Sequence, residues 1–143
     1  MMGGERPLTR KELEQIRDLN RELELWSKRL QEIRYRAIPG VKQMDGMPFQ
    51  HTNEISNPTF NVAADLEETE QIVRGIIAQI NRARREVYHF ITGIEDSHIR
   101  QILECRCVSG MSWEEVAEWL GEGHTPEAVR QIYHRFLAQN GIT

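Results

Sequence analysis

Two runs of apolar residues step along this chain by alternating threes and fours, and that spacing constrains the fold more than any other feature. The first run is Ile16, Leu19, Leu23, Trp26, Leu30 and Ile33. The second is Leu66, Thr69, Val73, Ile76, Ile80, Ala83, Val87, Phe90 and Ile94. An apolar residue at every 3.5 positions keeps one side of a helix dry and offers a seam to another helix. The spacing predicts two helices of about 27 and 30 residues, the first from Thr9 to Tyr35, packed as an antiparallel hairpin about 40 Å long. Proline is scarce and β-branched runs are short, so the expected class is all-α, with no sheet.

The hairpin has more apolar surface than a two-helix seam needs. Leu13, Leu25, Ile72, Ile77 and Ile91 widen the stripe. This surplus favours a bundle, reached by self-association with a dimer preferred, or by packing another protein. The expected oligomer or partner interface is Ile16, Leu19, Leu23, Trp26, Leu30, Ile33, Val73, Ile76, Ile80 and Val87; the bland alternative is a coiled coil with apolar flanks and no partner. Pro39-Gly40, Gly46, Pro48 and Asn57-Pro58 interrupt the helical pattern, so a loop over about 37–62 is expected between the helices. It carries Val41, Met44, Met47, Phe49, Ile55 and Phe60, too many apolar residues for a purely disordered linker.

The segment Asp96 to Gln139 reads as three short amphipathic helices. Gly110 follows the first. Ser112 and Glu115 form a capping box for the second, whose buried side is Trp113, Val116, Ala117 and Leu120. Gly121 and Gly123 end that helix, and Thr125-Pro126 starts the last one. In the last helix Val129, Ile132, Tyr133, Phe136 and Leu137 form the apolar stripe. Glu127, Arg130, Gln131, His134 and Arg135 form a polar one. A short Gly-containing turn between two such helices is a helix-turn-helix layout. A polar stripe of Arg, Gln and His suits a DNA major groove, and an ordinary solvated face is the alternative.

The run ILECRCVSGMSWEEVAEWLG resembles the promoter-reading domain of bacterial sigma factors. The chain as a whole resembles the sigma-like phage transcriptional regulators of the ArpU and RinA type, which join a long helical N-terminal half to a sigma-like helix-turn-helix. Gly46-Met47-Pro48 is similar to a short element between the two halves in that family. The resemblance implies a helical hairpin over 1–93, a sigma-like helix-turn-helix domain over 94–143, and a DNA-binding regulator of late or integration genes in a bacterial host. One departure is visible. The turn Glu122-Gly123-His124-Thr125 is about two residues longer than in the sigma-like pattern, which bears on which residues reach bases.

Charge argues against a simple DNA grip. The formal net charge is −4, and residues 94–143 hold four arginines against eight Asp/Glu, whereas residues 5–36 hold nine Lys/Arg against seven Asp/Glu. A domain that binds DNA alone usually carries a basic footprint. Either a second copy supplies further contacts, or the acidic helix with Glu114, Glu115 and Glu118 faces a basic partner such as RNA polymerase; the bland reading is a solubilising surface.

Other classes find little support. No stretch reaches the roughly 20 apolar residues of a membrane span. The start, MMGGERPLTRKELEQ, has no apolar signal core, so a cytoplasmic protein is expected. Cys105 and Cys107 at i and i+2 point to different faces and are read as reduced, partly buried thiols; their spacing with His98 or His89 fits no zinc pattern. There is no phosphate-cradling glycine loop and no catalytic pairing for His51, so no enzyme activity, metal or cofactor is expected. Arg82, Arg84 and Arg85 read first as a solvated face and second as a phosphate contact.

The expected function is sequence-specific binding of double-stranded DNA, with the helix over 126–138 in the major groove. Arg130 and Gln131 are the candidates for base edges, beside Glu127. His124, Thr125, His134 and Arg135 are the candidates for phosphates. Two alternatives remain: a packaging component resembling small terminase subunits, and a polymerase-binding adaptor that makes no direct DNA contact.

Overall fold

The computed structural model describes residues 8–38 and 58–143. Among them there is no strand. The elements are α1 (Arg10–Arg36), α2 (Pro58–Thr92), α3 (Ser97–Leu103), a π-helical turn (Glu104–Val108), α4 (Trp113–Leu120) and α5 (Pro126–Gln139). The all-α class expected from the spacing is the observed one. Helix α1 starts on a capping box in which Thr9 Oγ1 accepts from the Glu12 N–H at 3.1 Å and Glu12 Oε1 accepts from the Thr9 N–H at 2.9 Å. Helix α2 begins at Pro58, inside the expected loop, because proline is tolerated where a helix has no backbone donor to lose. The remainder of that loop, with Gly46-Met47-Pro48 and His51, lies outside the described residues.

The chain divides into two compact units, 1–21 with 79–143, and 22–78. In the first unit one core joins Leu13 and Ile16 of α1, Ala83, Val87 and Ile91 of α2, and Ile102, Leu103, Cys105, Cys107, Val108, Val116, Ala117, Val129, Tyr133, Leu137 and Ile142 from the C-terminal segment. The boundary expected near Gly93 therefore falls inside this unit. The reason is physical: three short helices bury too little by themselves, and the first turns of α1 and the last turns of α2 complete their core. In the second unit Leu30 and Ile33 of α1 are buried, as are Thr69 and Ile76 of α2, and Arg34 pairs with Glu70 at 3.2 Å on the surface.

These placements bear on the expected oligomer interface. Ile16, Leu30, Ile33, Ile76, Ile80 and Val87 are buried within the chain's own packing and present no surface to a partner. Leu19, Leu23, Trp26 and Val73 are half-buried. The apolar residues that do stand out among the described ones are Leu25, Tyr35, Ile38 and Ile77 in the second unit and Tyr88 and Trp119 in the first.

The C-terminal segment departs from regular helix at one place. Between Glu104 and Val108 the hydrogen bonds widen, with the Ser109 N–H donating to Glu104 O at 2.9 Å. Such a π turn inserts one residue and re-aims the side chains around it. Five of the seven residues 102–108 are buried, so this stretch runs through the middle of the core. Both cysteines are free and fully buried, deeper than their sequence spacing suggested. Burial pushes the Cys107 thiol up to about 12, and burial followed by the nearby Glu104 charge raises that of Cys105.

Candidate nucleic-acid interface

The local chemistry that positions α5 is the one its sequence dictates. Asp96 caps α3, accepting from the His98 N–H at 2.9 Å. Arg100 Nη1 donates to Ile94 O at 2.6 Å and Glu95 O at 3.0 Å, which fixes the joint between α2 and α3. Ser112 and Glu115 make the reciprocal capping box of α4 at 3.2 and 2.9 Å. Gly121 ends α4 with φ +94°, a conformation closed to residues with a Cβ. Thr125 Oγ1 then accepts from the Ala128 N–H at 3.1 Å, with Pro126 in the first turn.

The far end of α5 is locked as well. The Ile142 N–H donates to Leu137 O at 2.9 Å and the Gly141 N–H to Ala138 O at 3.2 Å, with Gly141 at φ +69°. This is a Schellman motif, and Ile142 closes it by burying its side chain. Thr143 O in turn accepts the Arg10 N–H at 3.0 Å, satisfying a donor at the start of α1.

Helix α5 buries Val129, Tyr133 and Leu137 and half-buries Ile132 and Phe136, as its apolar stripe predicts. The polar stripe is on the surface. Arg130 grips Glu127 with both arms of its fork, Nη2 to Oε2 at 2.7 Å and Nε to Oε1 at 3.2 Å. Gln131 Nε2 donates to the same Oε2 at 3.2 Å. The Arg130 hydrogen bond and charge hold the Glu127 carboxyl below the usual carboxylate range. Both candidate base readers are thus satisfied by one exposed carboxylate. A pairing this exposed is weak and exchangeable, so a base edge has only to compete with Glu127. Arg135 is exposed one turn further along.

His124 is placed differently from the expectation. Its Nδ1 lies 3.1 Å from Gly121 O, which makes Nδ1 the donor, and its Nε2 lies 3.3 Å from His98 Nε2. Both ring nitrogens are engaged in tying the turn between α4 and α5 to α3, so neither is left for a phosphate. Thr125 is committed as a cap through its oxygen lone pair.

His134 leads to residues that the sequence reading missed. Its ring lies 6.5 Å from Trp113, and Arg106 of the π turn stacks on that tryptophan, its guanidinium carbon 4.2 Å from the ring centre. Arg106 Nη1 also donates to Met111 O at 2.9 Å. Tyr133 OH donates to Glu14 Oε2 of α1 at 2.7 Å, and Arg10 Nε donates to the same oxygen at 3.4 Å. Arg17 of α1 packs against Gly110, where an added Cβ would lie 3.7 Å from its Cγ and 3.0 Å from Asn20 Nδ2. Partial burial, then the charges of Arg10 and Arg130, hold the His134 imidazole below its ordinary value.

A basic group is therefore assembled beside α5 from Arg10, Arg17, Arg106 and Arg130. Counting charges over residues 94–143 hides it, because two of the four arginines come from α1. The one sequence signal was the stripe Arg10, Glu14, Arg17 at i, i+4 and i+7 on α1. Helix α4 contrasts with it: Glu114, Glu115, Glu118 and Trp119 are all exposed. No family model matches the chain, and no curated protein and no solved structure matches it either.

Proposed function

We propose that the chain is a sequence-specific DNA-binding regulator of transcription, of the sigma-like phage type, with α5 entering the major groove. The observation that carries this reading is the construction of α5. The helix is capped at both ends and anchored by Val129, Tyr133 and Leu137, while Arg130, Gln131 and Arg135 lie on its outer side. Arg130 and Gln131 exchange Glu127 for guanine and adenine edges, and Arg135 meets phosphate. Selection of bound sequences from a random duplex pool tests it. Recovery of a defined motif is expected, and Arg130→Ala is expected to weaken binding to that motif by about 1–3 kcal/mol. No enrichment at any salt concentration sinks the reading.

One observation favours a second reading, an adaptor that contacts RNA polymerase. Trp119 is 64% exposed on the acidic surface of α4, and an aromatic among carboxylates suits a basic protein partner. The two are separable: Trp119→Ala disrupts a polymerase complex and leaves duplex binding unchanged. Self-association as a dimer, through the exposed Leu25, Tyr35 and Ile77, would double the phosphate contacts.

A further inference from the structure

The charges of Arg10, Arg106 and Arg130 act on His134, Arg17 lies close to Arg106, and among the described residues Glu14 and Glu127 are the carboxylates seen to pair with or act on this group. Glu127 is taken by Arg130. Glu14 accepts from both Arg10 and Tyr133, and it is the carboxylate whose charge acts on both Arg106 and His134. Arg17 is close enough to Arg106 for its charge to disfavour that of Arg106. The Nε atoms of both are buried and have no hydrogen-bond partner among the described residues. Leaving a buried donor unsatisfied is costly, and for a charged group more so.

A purely structural role explains part of this. Arg106 covers Trp113, and the stem of Arg17 packs against Gly110. The Arg17 contact requires no charge, since a methylene stem fills the same space, and the cation–π contact of Arg106 uses its charge without supplying a counter-ion. The arrangement is one that an anion completes, because guanidinium forks match phosphate oxygens and repulsion among them falls when a phosphate sits between.

We propose that Arg10, Arg17 and Arg106 form a clamp for the phosphate backbone of the nucleic acid that α5 reads. The inference rests on the DNA-binding reading and adds the N-terminal helix to the interface. The occupant is a polynucleotide backbone rather than a free anion because Arg130, a candidate base reader, lies one turn from His134 on α5. The clamp and the reading face share that helix. In this arrangement α1 acts as more than a scaffold. It supplies the cations that the acidic C-terminal segment lacks, so a chain of net negative charge still presents a local basic footprint.

The test is duplex binding by the full chain, measured across a salt series with both the selected duplex and one of random sequence. The double variant Arg10→Gln and Arg17→Gln is expected to lose affinity for both duplexes by the same factor, on the order of tenfold per arginine at 0.1 M salt. Its plot of log K against log salt is expected to be shallower by about 2, because each lost phosphate contact releases one counterion fewer. Lysine at both positions is expected to recover most of that slope, which a packing defect would not do. Arg17→Gln alone keeps the stem on Gly110 and serves if the double variant folds poorly. Wild-type affinity and slope in the glutamine variants, with the unaltered chain binding duplex normally, would overturn the clamp and leave the DNA reading standing. If the unaltered chain binds no duplex, both fail. Binding without sequence preference, lost in the glutamine variants, supports the clamp and refutes base reading.

Discussion

The two compact units draw on the same two helices and bury very different amounts. In the first unit, α1 and α2 pack into a core with the C-terminal helices, and Leu13, Ile16, Val87, Ile102, Leu103, Val116, Val129 and Tyr133 are almost wholly inaccessible. In the second, the same 3-4 spacing buries Leu30, Ile33, Thr69 and Ile76 and leaves Leu25, Tyr35 and Ile77 in solvent. An identical heptad pattern thus has two outcomes. Where a third layer is present the flanking positions are covered, and where two helices meet alone only the seam is dry. Stability should concentrate in the first unit, and the second should tolerate change.

The largest expected effect breaks the chain at Gly93. A peptide of residues 94–143 lacks Leu13, Ile16, Ala83, Val87 and Ile91, which share its core. It is expected to show weak helicity and no cooperative thermal transition by circular dichroism. A sharp melt would restore an independent domain there and remove the argument that α1 and α2 complete the C-terminal unit. Next in size are matched truncations. Ile16→Ala is expected to cost about 2–5 kcal/mol in chemical denaturation, whereas Leu25→Ala should stay within about 0.5 kcal/mol. Equal effects would mean that the exposed face of the second unit is covered in solution, which is what a dimer would do.

A smaller effect probes the link between α1 and α5. Tyr133→Phe removes the donor to Glu14, a contact spanning 119 positions of sequence. A hydrogen bond to a partly exposed carboxylate suggests a loss of about 1–2 kcal/mol. The ring remains to fill the core, so the fold should be kept. A variant as stable as the unaltered chain would show that apolar packing alone joins the two helices.

Much of this was legible in the sequence, and the reasons differ from place to place. The caps at Asp96, Ser112 and Thr125 and the stop at Gly121 are local chemistry, set within four residues, and each is where its residue types put it. The stripes of α5 follow from helical periodicity alone. The shared core was not legible, because the 3-4 spacing says that a face is dry without saying which helix dries it. Leu13 and Ile91, read as surplus apolar surface, are core residues for that reason. The basic group was hidden in the same way: Arg10 and Arg17 of α1 come together with Arg106 only after folding. His124 shows the opposite limit. Its partner His98 is 26 residues away, and nothing in the local pattern of the turn names it.

The smallest effect is a pH dependence confined to the first unit. His134 is held below its ordinary value by partial burial, then by Arg10 and Arg130. Protonation is therefore less favourable in the folded chain than in the unfolded one. The unfolded state takes up the proton first as pH falls through about 6.5, the free histidine value, so the contribution of His134 is fully present above that pH and is lost below it. His134→Gln keeps a polar side chain of similar reach and cannot charge. Its stability should match the unaltered chain near pH 6 and below more closely than at pH 8, or exceed it there, as measured by denaturant midpoints at each pH. The carboxylates that titrate further down are common to both proteins and cancel in the difference. A difference independent of pH would mean that the arginines around the ring lie too far off to act on it. The basic group would then be looser than the contacts of Arg106 with Trp113 and of Arg10 with Glu14 imply.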